Sequence, residues 1–291
     1  MKVLILTDGK AGHQSQSVAL ALSLGMEYDL VAVRFRNRLA KFVSYLIDRM
    51  NIMCMGLFTC GNIPSSAGDY SFVAGTGSGT FYPVKVMARR MGLESRVIFY
   101  PRGYRTDTFG HIYAPCHDNP PARPNIEMIY GAYVFVSDRM KEDAVRAFRQ
   151  LHPGNAGNAV SCVIGGPSRY STMKVEWMRG RLDSIFQELS EWNREHPDDR
   201  CEAWVTTSRR TPYEIEQLVR SYPWDFCQIY SEDTYNPVLA FAVLSRKVYV
   251  TAESISMVSE LRAGASGRVL LLDNLKPGNH KLRRFADTLH D

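Results

Sequence analysis

Short, wholly apolar runs recur along this chain. Each is followed by a loop of small or polar residues and then by a helical pattern. "VLIL" at residues 3–6 passes through "TDGKAGH" into "QSQSVALALSL", and "YSFVAGTGSGT" runs into "FYPVKVMARRMG". The same happens where "AVSCVIGG" precedes residues 173–195, "CEAWVTTS" precedes "TPYEIEQLVRSY", and "KVYVTA" precedes "SMVSELRAG". A strand that is apolar on both faces has to be covered on both faces, so it belongs in a parallel sheet between helical layers. The alternation runs twice, which predicts an α/β protein of two Rossmann-like domains. Their parallel sheets are expected to face each other across a cleft.

The break falls at "LHPGNAGNA", residues 151–159, the stretch richest in Gly, Asn and Pro and without apolar period. The expected domains are therefore 1–150 and 160–275, joined by a linker at 151–159. A C-terminal helix within 276–291 packs back on the first domain. Helical faces are legible in places. Leu182, Ile185, Phe186, Leu189 and Trp192 line one side of 173–195. Leu39, Phe42, Val43, Leu46, Ile47 and Met50 line one side of "NRLAKFVSYLIDRM". Thr211 with Pro212 and Glu214, and Asn236 with Pro237, read as helix starts.

Composition narrows the function classes. The chain has 291 residues, 45% hydrophobic and 22% charged, with a net charge of +5. That charge suits an anionic substrate or a membrane surface and is too small to argue for nucleic acid. The six cysteines are scattered with no Cys-x-x-Cys pair, and no histidines stand at metal spacing. Free buried thiols are expected rather than a disulfide framework or structural zinc. No apolar run reaches membrane-span length, and "MKVLILTDGK" reads as a first strand rather than a signal peptide. The expected location is cytoplasmic.

In open α/β sheets, ligands bind beyond the carboxyl ends of the strands. The unusual loops fall there. "DGKAGH" offers Gly12 and a helix start to an anion, but fits neither a dinucleotide nor a Walker A pattern. His13 within it can take a proton at neutral pH. "GTGSGT" places Gly75, Gly77, Ser78 and Gly79 where backbone can approach a ligand closely, and it does not fit a hydrolase elbow. Asp107, His111 and Asp118 are reserve bases beside strand ends. In the second half, Gly165, Gly166, Ser168 and Arg169 open one loop, and Ser208, Arg209 and Arg210 open the next. Hydroxyls, free amides and arginines on one edge suit a diphosphate. Glu253 and Glu260 flank Ser256, Met257 and Ser259, and a carboxylate there can accept ribose hydroxyls. At each of these positions the alternative is structural: a cap, a tight turn or a solvated basic rim.

"DGKAGHQSQSVALA", "GTGSGT", "GGPSRYSTM", "TTSRRTP" and "NPVLAFAVLSRKVYVTAESISMVSE" resemble the family named after the plant "elongated mitochondria" fission protein. Its bacterial members are labelled predicted nucleoside-diphosphate-sugar epimerases. More distantly the motifs resemble GT-B glycosyltransferases, in particular the peptidoglycan N-acetylglucosaminyltransferase. That enzyme has a Gly-Gly-His turn similar to Gly12-His13 and a Val-Ser-Glu similar to Val258-Ser259-Glu260. This chain departs from it where Lys10 and Ala11 interrupt the glycines. The resemblance implies a UDP-linked sugar held by the second domain, with Glu260 on the ribose, His13 as base, and neither metal nor cofactor. It leaves three functions open: a transferase, a nucleotide-sugar epimerase, and a non-catalytic membrane-associated adaptor. The partners implied are a nucleotide sugar and a lipid-linked acceptor. Residues 34–58 pair an apolar stripe with Arg34, Arg36, Arg38 and Lys41, which suits peripheral docking on anionic lipid. The competing reading of that helix is a core element packed on its sheet.

Overall fold

The computed structural model describes residues 1–153 and 157–289. The chain divides into two compact units, Met1–Phe135 and Val136–Asp291. In the first, the order is β1 (Lys2–Thr7), α1 (Ala11–Ser23), β2 (Glu27–Phe35), α2 (Arg38–Arg49), β3 (Phe58–Cys60), β4 (Tyr70–Thr76), α3 (Phe81–Met91), β5 (Glu94–Ile98), β6 (His111–Pro115) and β7 (Ile126–Ile129). The second contains α4 (Asp138–Leu151), β8 (Ala159–Ile164), α5 (Val175–Glu195), β9 (Glu202–Thr207), α6 (Tyr213–Arg220), β10 (Phe226–Gln228), α7 (Val238–Leu244), β11 (Ser245–Thr251), α8 (Ile255–Gly264), β12 (Arg268–Leu272) and α9 (Lys281–Asp287).

The first sheet runs β3-β2-β1-β4-β5-β6-β7 and the second β10-β9-β8-β11-β12. All pairings are parallel except β2 with β3, so the edge strand β3 departs from the all-parallel expectation. The double covering foreseen from "VLIL" is realised residue by residue, because neighbouring side chains of a strand point to opposite faces. Val3 and Ile5 pack with Leu20 and Phe72, while Leu4 and Leu6 pack with Tyr82 and Val84. In the second unit Cys162 and Ile164 face Leu182 and Met178, and Ala159 and Val163 face Trp204 and Phe241. The α5 stripe is inward as expected: Leu182, Ile185 and Leu189 are buried, and Phe186 and Trp192 are partly so. The thiols of Cys162 and Cys201 are buried, but Cys227 is exposed.

Several expectations are corrected. The division falls after Phe135, so residues 136–150 belong to the second unit rather than the first. The cause is Phe148 of α4, fully buried against Trp204, Phe226 and Phe241. Of the expected linker 151–159, residues 154–156 lie outside the described residues, as do the last two residues of 276–291. Helix α9 packs within the second unit: Leu282 and Ala286 bury against Ala252 and Leu275, and Phe285 joins the Trp204 cluster. Helix α6 begins on Pro212 without a side-chain cap. The Thr211 hydroxyl instead donates to the carbonyls of Ile164 and Gly165, at 3.0 and 2.7 Å. Finally, α2 is rotated from the expected face, of which only Val43 and Ile47 are half-buried, Ile47 packing on the core. Its buried positions are Ala40, Ser44 and Asp48, while Leu39, Phe42, Leu46 and Met50 are exposed.

Candidate functional site

In the first unit the carboxyl ends of β1 and β4 lie side by side, with Leu6 paired to Gly75. Their loops meet. Asp8 directly follows β1, and His13 stands in the first turn of α1. The His13 Nδ1 lies 3.1 Å from both Asp8 oxygens. Gly77 explains why this pair fits. It adopts a φ of +82°, and a Cβ there would lie 2.4 Å from His13 Cε1. Gly79 does the same for Asp8, whose Cβ would be 2.8 Å from an added methyl. The glycine turn therefore leaves the room in which the Asp8–His13 pair lies against it. Gly75 is packed tightly against Val84 and Thr80. Gly12 has open space around it, and its carbonyl accepts from Gln16.

Charge at this edge is concentrated. Burial pushes the Asp8 carboxyl up, but the Lys10 ammonium bonded to it at 3.1 Å, together with His13, outweighs burial and holds it below the usual carboxylate range. Lys41 comes from α2 and donates to the Ser78 hydroxyl at 2.9 Å. Burial lowers the Lys41 pKa, and the neighbouring Lys10 lowers it further. The Phe99 ring meets the His13 ring edge-on, with centroids 5.7 Å apart. Phe99 itself holds a φ of +80°, a conformation rare for a bulky residue and therefore stabilised by its surroundings. A cavity of 610 Å³ opens beside Asp8, Gly9 and Gly79, with Arg34 and Thr59 on its far wall. With Asp8 on Nδ1, the His13 Nε2 is the nitrogen left to act on a substrate.

The other catalytic candidates do not join this cluster. His111 is the first residue of β6, so it lies at the amino edge of the sheet. It pairs with Glu127 at 3.0 Å. Asp107 is exposed in the segment leading into β6. Its carboxyl is held low by the Arg105 guanidinium at 2.6 Å. Asp118 follows β6 and gives its carbonyl to Arg102. Sequence reasoning missed Asp8 and Phe99 as partners of His13, Lys10 as the cation on Asp8, and Lys41 as the donor to Ser78. The Asp-Gly that ends "VLILTDG" was a usable signal for Asp8, whereas Lys41 reaches Ser78 only through the tertiary fold.

In the second unit the loops after β8, β9 and β11 share one edge, since these strands are parallel neighbours. The expectation that Gly165 and Gly166 offer free amides is overturned. Gly165 N donates to the Thr251 hydroxyl at 2.8 Å and Gly166 N to Glu253 Oε1 at 2.9 Å. Glu253 is buried and also accepts from the Asn274 amide at 2.8 Å. It braces the glycine loop from a buried position, 4% exposed. Gly166 is obligatory because an added Cβ would sit 2.0 Å from the Arg210 carbonyl oxygen. Ser168 and Ser208 close tight turns on Ser171 and Thr211.

What remains outward is more selective. The Arg209 and Arg210 side chains are exposed and engage no carboxylate among the described residues, and Arg169 lies over the Tyr170 ring. Helix α8 starts without a side-chain cap, so the amides of its first turn, including Ser256 and Met257, form an anion-attracting end. Ser259 is buried on the inner face of α8. One and a half turns into α8 stands Glu260, whose carboxyl is pushed up by burial alone. Among the described residues no cation pairs with it, which makes Glu260 a candidate binding group.

Comparison with known proteins agrees with this architecture. The chain has the fold of UDP-GlcNAc 2-epimerase from Methanocaldococcus jannaschii, with a TM-score of 0.50 at 12% identity over 100% of this chain and 92% of that one. The UDP-GlcNAc 2-epimerase from Neisseria meningitidis aligns with a TM-score of 0.45 at 11% identity, over 100% and 91%. A glycosyl transferase family 9 protein from Veillonella parvula aligns at 0.47 and 7%, over 93% and 79%. At 12% identity the likeness to the M. jannaschii protein concerns the fold alone, and it agrees with the α/β class expected from the sequence. No curated protein sequence matches the chain. The family model described as Mitochondrial fission ELM1 matches residues 11–291. With nearly the whole length matched, this chain belongs to the mitochondrial fission ELM1 family.

Proposed function

We propose that this protein transfers a sugar from a nucleoside-diphosphate sugar to an acceptor hydroxyl. The observation that carries the reading is the Asp8–His13 pair seated on Gly77. The acceptor hydroxyl gives its proton to His13 Nε2 as its oxygen bonds to the anomeric carbon. The bond from that carbon to the diphosphate breaks, and the nucleoside diphosphate leaves with the electron pair. Asp8, held ionised by Lys10, keeps the imidazole oriented and stabilises the imidazolium. No cofactor enters this chemistry.

The donor belongs to the second unit. The α8 amides and the Arg209 and Arg210 guanidinium groups suit the diphosphate, and each well-placed donor to a leaving group contributes about 3 kcal/mol in the transition state. Glu260 accepts the two ribose hydroxyls. A UDP-linked donor is the first to test, since the M. jannaschii protein of the same fold is a UDP-GlcNAc 2-epimerase. That relative also favours a second reading, in which the chain epimerises the donor itself.

The test uses UDP and UDP-N-acetylglucosamine. Saturating UDP is expected to stabilise the protein by about 2.7 kcal/mol at a hundredfold excess over its dissociation constant. His13→Ala is expected to bind UDP normally and to lose the UDP release that wild type shows when an acceptor alcohol, or water in its place, takes the sugar. Appearance of the 2-epimer with donor alone decides for the epimerase. Absence of any stabilisation by nucleoside diphosphates overturns both enzymatic readings and leaves the adaptor.

A further inference from the structure

Helix α2 is mounted with its apolar side outward. Its inner face carries the polar Ser44 and Asp48 with Ala40, flanked by Tyr45 and Ile47 on the core. The Ser44 hydroxyl bonds to the Tyr104 hydroxyl at 2.8 Å. Asp48 Oδ1 accepts from Lys85 Nζ at 2.6 Å, and Oδ2 accepts from the Arg105 amide at 2.7 Å. Asp48 and Lys85 are both almost completely buried, at 1% and 3% exposure. These bonds fix the rotation of the helix about its axis. The opposite face carries Leu39, Phe42, Leu46 and Met50, exposed by 68, 59, 47 and 63%. Their spacing of three, four and four residues makes one continuous stripe. Ile52, just beyond the helix, extends it at 46%.

The charge around this stripe has one sign. Arg34, Arg36, Arg38 and Arg49 are exposed, and the one acid between residues 34 and 52 is Asp48, buried and neutralised by Lys85. An outward apolar stripe bordered by cations is the pattern of a helix lying in a membrane interface. A second copy of the chain is a poor occupant, because a two-fold contact would bring like arginines together. No helix among the described residues is long and apolar enough to cross a membrane, so any contact made through α2 lies at the surface.

We propose that the outer face of α2 docks the first unit on an anionic lipid bilayer. Leu39, Phe42, Leu46 and Met50 enter the boundary between headgroups and acyl chains, and Arg34, Arg38 and Arg49 meet lipid phosphates. Docking stands apart from the sugar-transfer reading. What does rest on that reading is the corollary that the acceptor hydroxyl is carried on a lipid.

The test is flotation of the full-length protein with phosphatidylcholine vesicles, with and without phosphatidylglycerol, at low and high salt. Vesicle binding requires no catalysis, so its failure is distinguishable from failure of the proposed transfer. The wild-type protein is expected to float with the phosphatidylglycerol vesicles and to be released by salt. Each arginine at an anionic surface contributes about fivefold to partitioning. The Arg38→Glu/Arg49→Glu variant is therefore expected to lose about 25-fold or more, and Phe42→Ser/Leu46→Ser to lose binding with its circular dichroism unchanged. An Arg139→Glu/Arg146→Glu variant on α4 is the control and is expected to bind as wild type. Three results would overturn the proposal: no flotation of the wild type, an equal loss in the α4 control, or an α2 variant that alters the sedimentation mass and leaves vesicle binding intact.

Discussion

Replacing Gly77 by alanine tests how the Asp8–His13 pair is built. Two costs are separable. The backbone cost comes from a φ of +82°, which disfavours a residue with a Cβ by about 1–2 kcal/mol. The contact cost comes from the new methyl, 2.4 Å from His13 Cε1 and 2.7 Å from Nδ1. The imidazole has to retreat by about 1 Å to reach ordinary contact, and its 3.1 Å bonds to Asp8 then break. A hydrogen bond to a charged group contributes about 1.5–3 kcal/mol. The low end applies here, because the His13 side chain is 22% exposed. Gly92→Ala is the matched control: its φ is +68° at the end of α3, with open space around the missing Cβ. Both variants are expected to melt a few degrees lower, at about 2–4 °C per kcal/mol for a unit of this size. Gly77→Ala is expected to lose the larger amount and to move the NMR resonance of the His13 Cε1 proton. Equal melting temperatures with an unmoved His13 resonance would refute the packing argument and the assignment of the glycine turn with it.

Other outcomes follow from the same geometry. Burial raises the Glu260 pKa, and under the proposed role its ionised form is the better acceptor for ribose hydroxyls, so UDP affinity is expected to fall as pH drops through that raised value. Calorimetry should show this slope in wild type and its absence in Glu260→Gln. The same raised pKa favours the protonated form in the folded state, so its contribution to stability is present at low pH and declines as pH rises through the raised value. Lys85→Met leaves Asp48 buried without its cation and is expected to cost about 3–5 kcal/mol in urea denaturation. Adding Asp48→Leu should return part of it. Gly166→Ala drives a methyl into the Arg210 carbonyl, where backbone cannot yield, and is expected to cost about 1–3 kcal/mol and disrupt the β8 and β9 loops together.

The strand–loop–helix alternation determined the two α/β units by itself, because an apolar run such as "VLIL" has no stable place except inside a covered sheet. It also put the candidate loops at the carboxyl edge, since chain direction in a parallel sheet leaves little choice. Periodicity found the buried face of α5 for the same reason, as Leu182, Ile185 and Leu189 share one side. It failed on α2. A stripe of Leu39, Phe42, Leu46 and Met50 says which residues lie together and not whether core or solvent lies opposite. That was decided by Lys85, 37 positions away, whose ammonium pairs with Asp48 and turns the polar side inward. The glycine loops failed in the same way. "GTGSGT" and "IGG" show that backbone is approached closely, but only the tertiary fold reveals that the approaching groups are His13, Asp8 and Glu253 of the protein itself. Phe148 likewise assigned α4 to the second unit through aromatic partners far along the chain. Local pattern fixes what a segment can become, and contacts between distant segments fix which way it faces and what its polar groups are left free to do.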